Sequence, residues 1–127
     1  MSYRFRKHYS PDEARALLPE VREWLKQLQQ IRRGLQHVDS RLTQILDAGE
    51  DVGGSNVNQM VRYVADLNKV LAEFRSREIQ IKDIERGLLD FPAIVGGREV
   101  FLCWEQDEDD IEFWHELDTG YAGREKL

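Results

Sequence analysis

Apolar side chains recur every three or four positions along residues 14–45: Ala14, Leu17, Val21, Trp24, Leu28, Ile31, Leu35, Val38, Leu42 and Ile45. This unbroken a/d spacing predicts one long helix that packs along its whole length against other helices. Ser10-Pro11-Asp12-Glu13 supplies its start. Serine at the N-cap, proline at the first position and glutamate at the third form a capping box at the positive end of the helix dipole. Pro19 removes one backbone hydrogen bond and crowds the preceding turn, so a kink is expected near residues 16–18, with the seam resuming in phase beyond it. Gly49 is placed to stop the helix after Asp47. A straight helix over residues 11–47 is about 55 Å long.

A glycine-rich connection over residues 49–55 follows. Gly53-Gly54-Ser55 before a helix resembles a phosphate loop, but no strand precedes it, no lysine is present and two acids stand beside it, so it reads as a plain helix–helix linker. Ser55 or Asn56 caps a second helix carrying Val57, Met60, Val64, Leu67, Leu71 and Phe74, and Val61, Tyr63 and Val70 broaden its apolar stripe. A hairpin closing near residue 52 sets Leu42 against Met60 and Val64, Leu35 against Leu67 and Leu71, and Leu28 against Phe74. The turns from Leu17 to Trp24 then pack on whatever follows. Two helices leave wide stripes uncovered, and a second copy of the chain, forming a four-helix bundle, is the economical cover. The alternative is that the C-terminal part folds back over the stripe within one chain.

Around Arg77 the period changes from helical to two. Ile79-Gln80-Ile81-Lys82 alternates, Glu85-Arg86-Gly87 turns, residues 88–92 are β-prone up to Pro92, and Gly96-Gly97 turns again. Residues 99–105 and 111–117 are the clearest strands, joined by an acidic loop, and residues 3–9 alternate weakly enough for a short edge strand at most. A register placing Val100, Leu102 and Trp104 beside Ile111, Phe113, His115 and Leu117 gives one apolar face, whereas a slip of one residue brings Glu112 and Glu116 onto it. In the favoured register Phe101, Cys103 and Trp114 share the other face. Cys103 and His115 then point to opposite sides and cannot ligate one ion, so no metal site is assigned. The predicted fold is α+β: a long antiparallel two-helix hairpin, its first helix kinked at Pro19, followed by a small antiparallel β-meander. One domain spans residues 1–127, with the hairpin over about 11–77, the meander over about 78–118 and a C-terminal tail over 119–127.

Composition adds limits. At 41% hydrophobic and 33% charged the chain reads as globular and helix-rich, with no apolar run near the roughly 18–20 residues of a membrane span and no signal peptide. The single cysteine excludes an internal disulfide and suits a reducing cytoplasm. Net charge is −6, and from Glu99 to Asp118 there are nine carboxylates and no Lys or Arg, which argues against nucleic acid as a partner of that end. The acidic run reads first as a solvated turn.

Ala16-Leu17-Leu18-Pro19, Lys82-Asp83, Gly87-Leu88-Leu89-Asp90-Phe91-Pro92, Gly97-Arg98-Glu99-Val100, Leu102-Cys103-Trp104, Trp114-His115 and Gly120-Tyr121-Ala122-Gly123-Arg124 occur together in this order. In these phrases, over essentially its whole length, the chain resembles a small prokaryotic family known as domain of unknown function 2203. It departs from the family pattern at Asp107-Glu108, where Gly-Glu is usual, and at Arg77-Glu78, where a glycine ends the second helix. The resemblance implies a bacterial or archaeal cytosolic protein and brings no reaction, cofactor or substrate with it.

Two functions follow. The favoured one is an oligomeric interaction module: a homodimer or higher homo-oligomer forms through the coiled-coil-like helices, and the face around Phe101, Cys103 and Trp114 docks a partner. The other is a small metal- or metabolite-binding enzyme with Asp90, Glu108, His115 and Arg124 converging at the rim of the sheet. Each has a plainer reading: a strand-end acid for Asp90, a core histidine for His115, and for Arg124 an ion pair with the acidic loop. Cys103, with no cation near it in sequence, reads as an inert thiol. No catalytic motif is recognisable.

Overall fold

The computed structural model describes residues 2–49 and 54–127. Helix α1 (Pro11–Asp47) opens on the capping box: Ser10 accepts from the Glu13 N–H, and the Glu13 carboxylate accepts from the Ser10 N–H. It continues through the exposed Pro19, and Gly49 at φ 72° ends it. Helix α2 (Gly54–Ser76) is already helical at Gly54, so Ser55 and Asn56 lie within its first turn instead of capping it. The linker expected before it falls mainly on residues 50–53, outside the described residues.

The helices pair antiparallel, but in their outer half the register differs from the expected one, with Tyr63 against Gly34 instead of the region of Leu42. The Trp24 ring stands edge-on to Phe74, with centroids 5.7 Å apart, and Leu28 lies in the same buried cluster as Phe74. Further out the Tyr63 ring settles on Gly34, where a Cβ would come within 2.5 Å of it. The gap in the α1 surface at Gly34 selects this offset, because any other residue there would hold the tyrosine away.

Five antiparallel strands follow in the order β1 (Gln80–Asp83), β2 (Leu88–Val95), β3 (Arg98–Glu105), β4 (Phe113–Glu116) and β5 (Glu125–Lys126). The tail is therefore not a mere tail: a 3-10 turn over Tyr121–Gly123 returns the chain so that β5 pairs with β4. No strand forms at residues 3–9, where carboxylates capture the backbone instead. Glu99 accepts from the Arg4 and Phe5 N–H groups, and Glu78 accepts from those of Arg6 and Lys7. Glu78 sits at φ 58° just after α2, where a Schellman-type bond from Ile79 N to the Phe74 carbonyl closes the helix. This is the region in which the family resemblance leads one to expect glycine. The left-handed backbone costs a non-glycine residue about 1–2 kcal/mol, which the Glu78 contacts to the N-terminal segment offset.

Pro92 lies inside β2, which runs past it to Val95. β1 pairs no further along β2 than Asp90, so the missing Pro92 N–H faces an edge where no ladder bond was due, and the Pro92 carbonyl accepts from Tyr9 N–H at 2.7 Å. Gly96 and Gly97, both at positive φ, make the two-residue turn into β3.

The helices cover one face of the sheet. Leu89, Phe91, Ala93, Val100, Leu102 and Trp104 share a buried cluster with Ala14, Leu18, Val21, Leu25 and Leu28. Leu18 and Leu25 lie outside the seam expected from the heptad count, whereas Leu17 and Trp24 on that seam are only partly buried. Helix α1 thus uses two adjoining stripes near its start, one for the sheet and one for α2.

Candidate functional site

The second face of the sheet is the chemically distinctive one. Gly96 and Gly97 pair Val95 with Arg98, and counting back from that turn sets Asp90 opposite Cys103. β3 and β4 pair Phe101 with His115, Leu102 with Trp114 and Cys103 with Phe113. Cross-strand partners share a face, so Asp90, Cys103, His115, Phe101 and Phe113 all point away from the helices. This overturns the expected register and the separation of Cys103 from His115 that followed from it. A slip of one residue brings Glu112 and Glu116 to the helix-facing side only if both lie within the strand. The strand, however, begins only at Phe113, leaving Glu112 exposed before it, and exposed Glu116 pairs with Arg98 at the far end.

Asp90 and His115 are each 1% exposed and Cys103 is fully buried. His115 Nε2–H donates to both carboxylate oxygens of Asp90 at 3.0 Å, and Nδ1–H donates to the Glu116 carbonyl at 2.6 Å. With Asp90 as a carboxylate both ring nitrogens face acceptors, an arrangement that favours the doubly protonated imidazolium. Burial alone pushes its pKa down, but the bonds to Asp90 and the Glu116 carbonyl, with the Asp90 charge, more than reverse this and hold it above the usual histidine value. The Cys103 thiol is pushed up to about 12, chiefly by burial, with the Asp90 charge adding and Arg124 opposing. It is therefore a neutral thiol.

Arg124 closes the edge nearest Cys103. Its guanidinium donates to both Glu108 carboxylate oxygens at 3.0 and 2.9 Å, stands 3.9 Å from the Phe113 ring centre, and places Nη1 4.0 Å from the Cys103 sulfur. Glu108 is in turn oriented by accepting from the Glu105 N–H at 2.7 Å. The acidic loop is also tied to α1, since Arg22 donates to the Glu108 and Asp109 carbonyls and Arg15 to that of Ile111.

The four residues expected at the rim thus form two contacts, Asp90 with His115 and Glu108 with Arg124, and Cys103 stands between the pairs. Strand parity read from the apolar pattern leaves the thiol out of the cluster, whereas counting back from the Gly96-Gly97 turn places it beside Asp90. The cation that the sequence neighbourhood of Cys103 lacks is supplied by Arg124, 21 residues on. The expected docking face is closed. Phe101 is buried with the Phe5 ring 5.4 Å from its own, Cys103 is buried, and Trp114 lies on the opposite face among the core residues.

The cluster is not arranged as a nucleophile with its base. A thiol–imidazole pair needs one ring nitrogen free to take the thiol proton, and both are occupied by Asp90 and the Glu116 carbonyl. What the cluster does offer is one oxygen, one sulfur and one nitrogen donor, from Asp90, Cys103 and His115, all within 4.8 Å of one another. None of the described helices is long and apolar enough to cross a membrane.

Residues 7–127 match the sequence model of the family described as Uncharacterized conserved protein (DUF2203), and the chain belongs to that family. No curated protein and no solved structure matches it.

Proposed function

We infer that this DUF2203 chain is a self-associating module in which two hairpins join through their outer halves into an antiparallel four-helix bundle. One observation carries the reading. The sheet covers α1 only as far as about Ile31, and beyond it Val38 is the one buried apolar residue among those described on the outer half of the hairpin. Leu35, Leu42, Ile45, Met60 and Leu67 are half-buried, while Leu46, Val57, Val61 and Val64 are exposed, Val61 by 62%. Val57, Val61 and Val64 stand at i, i+4 and i+7, a stripe along one side of α2. Leu46, Val57, Val61 and Val64, 43–63% exposed, each have about half of the roughly 1.5–3 kcal/mol of full burial still to gain, and a two-fold contact counts every one twice. A second copy is the occupant favoured by charge, because Asp39, Arg41, Arg62 and Asp66 mix both signs along this half and can complement themselves. The lone buried Cys103 suits the reducing cytoplasm in which we place the assembly.

Sedimentation velocity on the purified chain tests this. The expected result is a two-chain species at micromolar concentration, converted to single chains with unchanged helical circular dichroism by Val61→Glu. A wild-type monomer across the micromolar range removes the reading. The rival reading, a small metal- or metabolite-binding enzyme, is favoured by the Asp90–Cys103–His115 cluster, but the cluster is not arranged as a nucleophile with its base.

A further inference from the structure

We propose that Asp90, Cys103 and His115 form a binding site for a divalent cation of the zinc type, with one carboxylate oxygen, one thiolate and the His115 Nε2 as ligands. Three observations converge on these residues. First, the donors are gathered on three neighbouring strands of a rigid sheet, all within 4.8 Å of one another. A tetrahedral ion with bonds of about 2.0–2.3 Å needs its ligands about 3.3–3.7 Å apart, so closure requires shifts of only about an ångström, within reach of small side-chain rotations. Second, the mixture of one nitrogen, one oxygen and one sulfur donor suits zinc or cobalt better than magnesium or calcium, which take oxygen alone.

Third, the orienting contact a metal-bound histidine requires is already built. Nδ1–H donates to the Glu116 carbonyl at 2.6 Å, which holds the tautomer whose Nε2 can coordinate. Binding the ion displaces the Nε2 proton and the thiol proton to solvent, since only the deprotonated donors coordinate.

The neighbouring charges fit this. Arg124 faces the sulfur but is neutralised by Glu108, and Lys82, 5.1 Å from the Phe101 ring centre, lies on the exposed margin. The Arg124 side chain, 12% exposed and 4.0 Å from the sulfur, lies between the cluster and solvent-exposed Glu125.

The test uses the full chain stripped with a chelator and titrated with cobalt(II), then zinc(II). The expected result is one cobalt per chain with a thiolate-to-cobalt charge-transfer band and the strong visible bands of a four-coordinate ion, abolished by zinc. Cys103→Ser removes the charge-transfer band, and Asp90→Asn weakens binding at least about tenfold. Circular dichroism establishes that each variant is folded. Should a variant fail to fold, the band in the wild-type chain still decides. No cobalt binding overturns the proposal. So does binding without the charge-transfer band, which would put the ion on the acidic loop at Asp107, Asp109 and Asp110, and so does a band that persists in folded Cys103→Ser.

Discussion

Replacing Asp90 by Asn tests whether the second face is held together by charge. The carboxylate is 1% exposed and accepts His115 Nε2–H through both oxygens at 3.0 Å. An amide of the same shape keeps one acceptor but leaves the imidazolium without a counter-charge. Removing one partner of a buried pair costs about 3–5 kcal/mol, a large share of the roughly 5–15 kcal/mol that stabilises a domain. At a urea dependence of about 2 kcal/mol per molar, the midpoint should fall by about 1.5–2.5 M. Buried Trp104 reports the transition by fluorescence, with chelator present throughout.

The pH dependence is the sharper readout. In the wild type the His115 pKa is raised on folding, so its contribution is complete below about pH 6.5 and fades as pH rises through the folded value, with a slope of at most about 1.4 kcal/mol per pH unit. In Asp90→Asn burial is no longer opposed by the carboxylate charge. The folded pKa then falls below the unfolded one, and stability should rise with pH up to about 6.5. The gap between the two proteins should therefore narrow from pH 6 to pH 8. A loss below about 1 kcal/mol with a parallel pH profile would refute the ion-pair reasoning.

Two further outcomes follow from the packing. Gly87 stands at φ 66°, and a Cβ there would meet Gln106 at 2.5 Å and the Leu25 side chain at 2.9 Å, so Gly87→Ala should cost about 2 kcal/mol or more in urea unfolding. The Cys103 thiol, buried and pushed up to about 12, should give no reaction with an aromatic disulfide reagent at pH 8 in metal-free native protein and one equivalent in denaturant; fast native labelling would contradict its burial.

Much of the fold was legible along the chain. The capping box, the long helices and their antiparallel return are written in short-range spacing, as are the change of period near Arg77 and the strands that follow. The Gly96-Gly97 turn even encoded the Asp90–Cys103 pairing. What could not be read locally was parity. Residues 111–117 alternate well enough for a strand beginning at Ile111, but the chain enters the sheet only at Phe113, after Arg15 and Arg22 have fastened the acidic loop through its carbonyls. Those arginines are about 90 residues away, and the short strand they leave puts His115 beside Asp90 and Cys103.

Sequence alone determined the periods, because backbone geometry imposes 3.6 or 2 residues on any segment that must bury one side. Only the tertiary structure decided which side chains of each period met. The offset of the helices turned on the tyrosine seated at Gly34, and the closing of the outer sheet face turned on an N-terminal segment captured by Glu99 and Glu78. Such meetings depend on contacts distant in the chain, and a one-residue shift in a strand moves every side chain to the opposite face.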